Sequence, residues 1–183
     1  MNQHALLTVT GRDRPGIVAR TTQVLFEMGC NIADSSMTRL GGAFTVMLIV
    51  HLPPTVRLEQ MAEAFAALAD EMALAIHVQP LSADSLTAST VDLPQGATIS
   101  VLGADQPGIV FRVTRLLAEM ACNIVDLYTR VLGTADKPVY SMVIEVEMPN
   151  QSDLPQQLQQ RLTQLEKQLT IEIHLRLSDS ALM

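Results

Sequence analysis

The sequence predicts an α+β protein made of two βαββαβ units in tandem. Three observations carry this. A 24-residue phrase, GRDRPGIVARTTQVLFEMGCNIAD from Gly11 to Asp34, returns as GADQPGIVFRVTRLLAEMACNIVD from Gly103 to Asp126, with fifteen of the 24 aligned positions identical. Around each copy, short runs rich in β-formers alternate with segments whose apolar residues recur at three- and four-residue spacing. The order of these patterns is the same in both halves, which is how a duplicated structural unit reads in sequence.

In the first half, His4–Gly11 is rich in β-formers and ends at Gly, so it reads as a strand. A helix is expected from Pro15 to Met28, with Ile17, Val18, Val24, Leu25 and Met28 on one face. Pro15 suits a first helical turn, where its missing N–H is not needed, and Gly29 suits a helix end. CNIADSSMTRL and AFTVMLIVHL flank Gly41-Gly42 and predict a β-hairpin. Pro53-Pro54 stops it. The next segment places Leu58, Met61, Ala62, Phe65, Leu68 and Met72 on one helical stripe, with Glu59, Glu63 and Asp70 outside it. A last strand runs from Leu74 to Leu81.

The second half repeats the plan: strand Ala97–Leu102, a helix from Pro107 to Met120, then strands Asn123–Leu132 and Val139–Met148. Here the longer GTADKP replaces the Gly-Gly turn. Asp153 is the expected cap of a helix in which Leu154, Leu158, Leu162, Leu165 and Leu169 recur at spacings of 4, 4, 3 and 4. IEIHLRL closes the unit. The domains are therefore expected at residues 1–82 and 96–183, joined by a Ser-, Thr-, Asp- and Ala-rich linker at 83–95 with a short strand near Ala88–Leu93. A βαββαβ unit is the ferredoxin-like motif, four antiparallel strands with two helices on one face. Val46, Leu48, Val50, Val143 and Val146 are expected on the other, uncovered face. Such a face and the sheet edges call for a partner, so the units are expected to act as a pair and the chain to form a homodimer.

With 183 residues, 48% apolar and 17% charged, the chain can bury a core. No apolar run approaches the roughly 20 residues of a membrane helix, and the first residues lack the basic start and apolar stretch of a signal peptide. The expectation is a cytoplasmic protein without membrane contact. A net charge of -7 opposes direct nucleic-acid binding. Cys30 and Cys122 occupy the same place in the two repeats and read as buried thiols rather than a bridge or a zinc site.

No enzyme chemistry is expected, and no cofactor. His77 and His174 sit at matching points of the last strands, and His4 and His51 stand alone on theirs, without Cys or Asp at ligand or triad spacing. Glu59, Glu63, Glu71 and Glu166 lie on polar helix faces, and GRDRPG lacks the Gly spacing of a nucleotide loop.

The repeated phrase opens G-x-D-x-P-G-I-V. A Gly after a strand allows a tight turn. Asp13 and Asp105 stand just before a helix. There a carboxylate either caps backbone N–H groups or holds the ammonium group of a ligand. Gly16 and Gly108 would let a ligand carboxylate approach the free N–H groups at the helix start. Asn31 and Asn123 open the following strand, diagonally across the unit from that turn. Each either orders the turn or reaches a ligand held between two units.

The phrase D-R-P-G-I-V…G-C-N-I on a βαββαβ frame resembles the ACT domain family of small-molecule sensing modules. Two such domains with G-x-D-x-P-G-I-V in both resemble the glycine cleavage system transcriptional repressor family. The resemblance implies a ligand site at the interface of paired domains: Asp13, Arg14, Gly16, Ile17 and Asn31 from the first repeat, Asp105, Gly108, Ile109 and Asn123 from the second. It implies a small amino acid as ligand, glycine first, and a DNA-binding activator of the glycine cleavage genes as partner. Arg12 against Ala104 and Arg14 against Gln106 make the two loops electrically unequal, and the longer second hairpin, with Lys137 and Pro138, adds to the difference. Two other readings are a ligand-independent interaction module and a regulatory subunit of an amino-acid metabolic enzyme.

Overall fold

The computed structural model describes residues 3–82, 95–134 and 137–178. The chain divides into two compact units, Met1–Ser89 and Thr90–Met183. The first contains β1 (Gln3–Arg12), α1 (Ile17–Glu27), β2 (Asn31–Leu40), β3 (Ala43–Leu52), α2 (Leu58–Met72) and β4 (Ala75–Leu81). The second contains β5 (Gln95–Gly103), α3 (Ile109–Glu119), β6 (Asn123–Thr134), β7 (Lys137–Met148), α4 (Leu154–Leu169) and β8 (Glu172–Leu177). Each unit is βαββαβ, and its four antiparallel strands lie in the order β2-β3-β1-β4 or β6-β7-β5-β8. The short strand expected near Ala88–Leu93 lies outside the described residues.

Alternation along the central strands makes each core. Ala5, Leu7 and Val9 of β1 pair in register with Val50, Leu48 and Val46 of β3, and all six are buried. Met61, Phe65 and Leu68 of α2 and Ile17 and Leu25 of α1 close over them. In the second unit Ala97, Ile99 and Val101 pair with Val146, Ile144 and Met142 beneath the five leucines of α4, all buried. Removing each such leucine from water contributes about 1.5–3 kcal/mol, which explains why the 4, 4, 3, 4 spacing dictates that helix.

Val46, Leu48, Val50 and Val146 therefore face the helices, contrary to their expected place on the open side; of that set, half-buried Val143 alone points away. The open faces carry alternate residues, Leu6, Thr8, Met47, Ile49 and His77 in the first unit and Ser100, Val143, Glu145 and His174 in the second. His4 and His51 do not stand alone: they pair across β1 and β3 with ring centroids 5.2 Å apart.

Further differences are local. Ala62 is exposed, because a 15-residue helix needs only its Met61–Phe65–Leu68 line to seat on the sheet. Asp153 occupies the N-cap of α4 but caps no backbone group; its Oδ2 accepts the Gln157 side-chain amide at 2.5 Å. The second hairpin is longer than expected, since Gly133 pairs with Pro138 and Thr134 with Lys137. Cys122 is buried but Cys30 only half-buried, and both are free thiols, pushed above the ordinary thiol range by desolvation.

The repeated N-I-x-D has a structural reason. Ladder register shifts between Ile32 and Asp34 and between Ile124 and Asp126, a β-bulge in each edge strand. The Asp34 carboxylate accepts the Ser35 N–H at 2.7 Å and that of Asp126 the Leu127 N–H at 2.8 Å, so each Asp braces the backbone where the ladder breaks. Beyond the bulge β2 is exposed along its whole length.

Candidate functional site

Gly11 and Gly103 are not turn residues; they lie within β1 and β5. A Cβ at Gly11 would stand 2.6 Å from Leu74 Cδ2, and one at Gly103 2.6 Å from Ile171 Cγ2. The first Gly of the motif thus lets the chain segment after the second helix pass against the strand. The second Gly has another cause. Gly16 and Gly108 are the N-caps of α1 and α3, at φ 96° and 93°, a left-handed conformation that L side chains resist. No side chain caps either helix. The first intrahelical bonds run from the Arg20 N–H to the Gly16 carbonyl at 2.9 Å and from the Arg112 N–H to the Gly108 carbonyl at 3.0 Å. The N–H groups of the first turn consequently have no partner inside the helix, and around Gly16 a side chain would meet nothing within 4 Å.

The two carboxylates differ in state. Asp13 forms a 2.7 Å ion pair with Arg39 Nε of β2 and is anchored through its N–H to the Gly42 carbonyl at 2.9 Å. By register the counterpart of Arg39 is Val131, since Arg39 pairs with Phe44 and Val131 with Tyr140. Asp105 is exposed and has no ion pair among the described residues. Its charge is felt by the buried Tyr140, whose phenol is held above its usual range by burial first and by the Asp105 carboxylate second. Neither Asp caps its helix.

Arg14 donates to the carbonyl of Met72, the last residue of α2. Gln106 donates from Nε2 to the carbonyl of Leu169, the last residue of α4, at 2.6 Å. The Arg-to-Gln difference thus changes charge but keeps one task, tying the turn to the end of the second helix. Ile17 and Ile109 are core residues at 1% and 2% exposure, so what they offer a ligand is backbone N–H.

Asn31 and Asn123 are exposed at the starts of β2 and β6. Asn31 pairs with His51, whereas Arg39, the partner of Asp13, lies near the other end of the same strand. Eight residues at 3.3 Å separate them, roughly 26 Å. One unit therefore does not bring its Asn and its Asp together. Asn123 instead borders a hollow of about 440 Å³ with Glu147, Pro149 and Gln151. The start of the second turn, Gly103 and Ala104, borders a larger hollow of about 840 Å³ with Pro138, Val139, Thr170 and Ile171. Sequence reasoning did not identify Tyr140 or these hollows. The signal for Tyr140 was its place opposite Gly103, the first Gly of the motif.

Among the described residues no cluster of His, Cys, Asp or Glu is arranged to hold a metal ion. No described helix is long and apolar enough to cross a membrane.

A family model described as ACT domain matches residues 3–79 and 97–176. The glycine cleavage system transcriptional repressor of Escherichia coli is 29% identical over 147 residues, 79% of this chain and 74% of the repressor. A UPF0237 protein of Streptococcus mutans is 35% identical over 75 residues, 41% of this chain and 85% of its own. The solved structure of an unknown protein from Galdieria sulphuraria superposes with a TM-score of 0.81 at 27% identity, covering 98% of this chain and 100% of that one. With one βαββαβ unit at each matched segment, the chain belongs to the ACT domain family as a tandem pair, and it resembles the glycine cleavage system transcriptional repressor.

Proposed function

We propose that this chain is a regulatory protein that binds a small amino acid, glycine first among the candidates, and acts by contact with a DNA-binding activator of the glycine cleavage genes. The observation that carries the ligand half is the uncapped helix start behind a left-handed Gly, present in both units. A free amino acid carries the two charges that suit it. Its carboxylate takes the first-turn N–H groups, where the helix dipole also favours an anion. Its ammonium group takes a carboxylate of the turn. At Asp13 that ammonium competes with Arg39, whereas Asp105 has no such competitor among the described residues. The second turn is accordingly the stronger binder. An Asn contact to the same ligand requires an Asn from outside that unit, because the Asn of the same unit is too distant, and the homodimer included in this reading would supply one. Its relation to the Escherichia coli repressor supports the activator as partner. The reading assigns no catalytic step and places the protein in the cytoplasm.

Titration calorimetry of the intact chain with glycine, serine and alanine tests this. Heat of binding is expected with at least one of them at millimolar concentration or below, and Asp105→Asn should remove more of it than Asp13→Asn. No heat with any of the three would defeat the ligand half.

One observation favours a second reading. Arg14, Gln106 and Asp13 are all engaged in holding the turn to its own unit. If that is their whole role, the protein is a ligand-independent interaction module, no amino acid gives heat, and Asp105→Asn leaves partner binding intact.

A further inference from the structure

We propose that the groove between α3 and α4 of the second unit docks an acidic peptide segment of a protein partner. The groove has a volume of about 440 Å³ and is lined by Arg112, Arg115, Arg161, Glu119, Gln164 and Gln168, with Pro107, Gly108 and Phe111 at its side. Three guanidiniums face one carboxylate. Glu119 accepts from Arg115 Nε at 3.0 Å and from Arg161 Nη2 at 2.5 Å, and those two hydrogen bonds hold its carboxyl below the usual carboxylate range. The Arg112 guanidinium makes no hydrogen bond or ion pair among the described residues. The groove thus carries +2 in a chain whose net charge is -7.

The first unit shows that the fold does not require this charge. Arg20, 92 positions before Arg112, is neutralised by Glu71 across α1 and α2 at 2.7 Å. Glu71 precedes the residue whose carbonyl receives Arg14, and Gln168 precedes the residue whose carbonyl receives Gln106, so Gln168 stands in the place of Glu71. By the same offsets Arg115 replaces Gln23 and Arg161 replaces Ala64. All three changes act in one direction. Arg20, Glu27 and Glu71 sum to -1, whereas Arg112, Arg115, Arg161 and Glu119 sum to +2.

The shape favours a peptide over a single small anion. From Gly108 to Glu119 the groove follows eleven residues of helix, roughly 16 Å at 1.5 Å each. That matches about five residues of extended chain. Gln164 and Gln168 present amides that both donate and accept, as a peptide backbone requires. Phe111, 62% exposed with the Arg115 guanidinium 5.9 Å above its ring, adds an apolar contact beside the charges. Guanidiniums match carboxylates in bidentate pairs. This inference stands whether or not the turns bind an amino acid.

The test is fluorescence anisotropy of the intact chain with labelled hexaglutamate, labelled hexalysine and a labelled single-stranded oligonucleotide, at low and physiological salt. Hexaglutamate is expected to bind, more weakly as salt rises, and hexalysine not to. Arg112→Gln combined with Arg161→Gln should weaken hexaglutamate at least tenfold. Gln168→Glu, which rebuilds the ion pair of the first unit, should weaken it as well while leaving the circular dichroism spectrum unchanged. Hexaglutamate binding indifferent to these variants, absence of binding at low salt, or oligonucleotide binding as strong as hexaglutamate and lost in the same variants would each overturn the proposal.

Discussion

Gly29 follows α1 with φ 70°, and Ala121 follows α3 at the same point of the second unit with φ 54°. Both residues stand in the left-handed conformation that ends a helix. Holding an L residue there costs roughly 1–2 kcal/mol, whereas glycine adopts it freely. Replacing Ala121 by Gly relieves that cost and gives back about 0.4–1 kcal/mol through the greater freedom of glycine in the unfolded chain. Ala121 is exposed, so no packing is lost. The net is a stabilisation centred on about 0.8 kcal/mol. The reciprocal Gly29→Ala should cost a similar amount, because its Cβ would sit 3.9 Å from Pro53 Cγ, an ordinary contact without a clash. Urea unfolding followed by circular dichroism, with linear extrapolation, measures both. The reasoning fails if Ala121→Gly is neutral or destabilising. It fails equally if Gly29→Ala costs above about 3 kcal/mol, a size that backbone strain alone does not reach.

The repeats supply other internal controls. Thr21 is buried at 1% exposure with its hydroxyl unpaired, and the second unit has buried Val113 in its place, so Thr21→Val should stabilise by about 1 kcal/mol in the same assay. Leu158, fully buried at the centre of the α4 stripe, should cost about 2–5 kcal/mol on truncation to Ala. Arg14→Gln should be nearly neutral, since Gln106 makes the equivalent bond, whereas Arg14→Ala should cost about 1 kcal/mol; equal losses would show that the guanidinium charge matters rather than the tie. Both thiols have raised values in the fold, so the stability this lends is full below about pH 8.5, the ordinary thiol value, and fades as pH climbs through the raised one. Alkylation of Cys30 and Cys122 by iodoacetamide should therefore lag behind free cysteine near pH 8 and catch up only on denaturation, a lag whose absence would contradict their burial.

Much of the fold was legible because single segments dictate it. The Gly41-Gly42 hairpin spans Asn31–Leu40 and Ala43–Leu52 as the alternation and the turn require, and all five leucines of α4 point inward as their spacing demands. Which face of a strand receives the helices is another kind of question. Val46, Leu48 and Val50 alternate with Thr45, Met47 and Ile49, and both sets contain apolar residues. The pairing of the first set with Ala5, Leu7 and Val9 under α2 decides the matter, and that is a contact across more than 35 residues. The candidate site divides along the same line. That Gly16 and Gly108 stand at a helix start was legible; their positive φ was not, because an N-cap is ordinarily extended. The bond from Arg14 to Met72, the pairing of Asp13 with Arg39 and the exchange of Glu71 for Gln168 all depend on segments that meet only in the folded unit.

The ties from Arg14 to Met72 and from Gln106 to Leu169 make a latch between each turn and the far end of a helix that follows it by 58 or 63 residues. A molecule seated on the turn cannot draw it outward without pulling that helix end or releasing it. In the second unit the pulled element is α4, whose Arg161, Gln164 and Gln168 line the groove beside α3. Under the proposed function, occupancy of the turn would bear on a surface that a protein partner could read without touching the ligand.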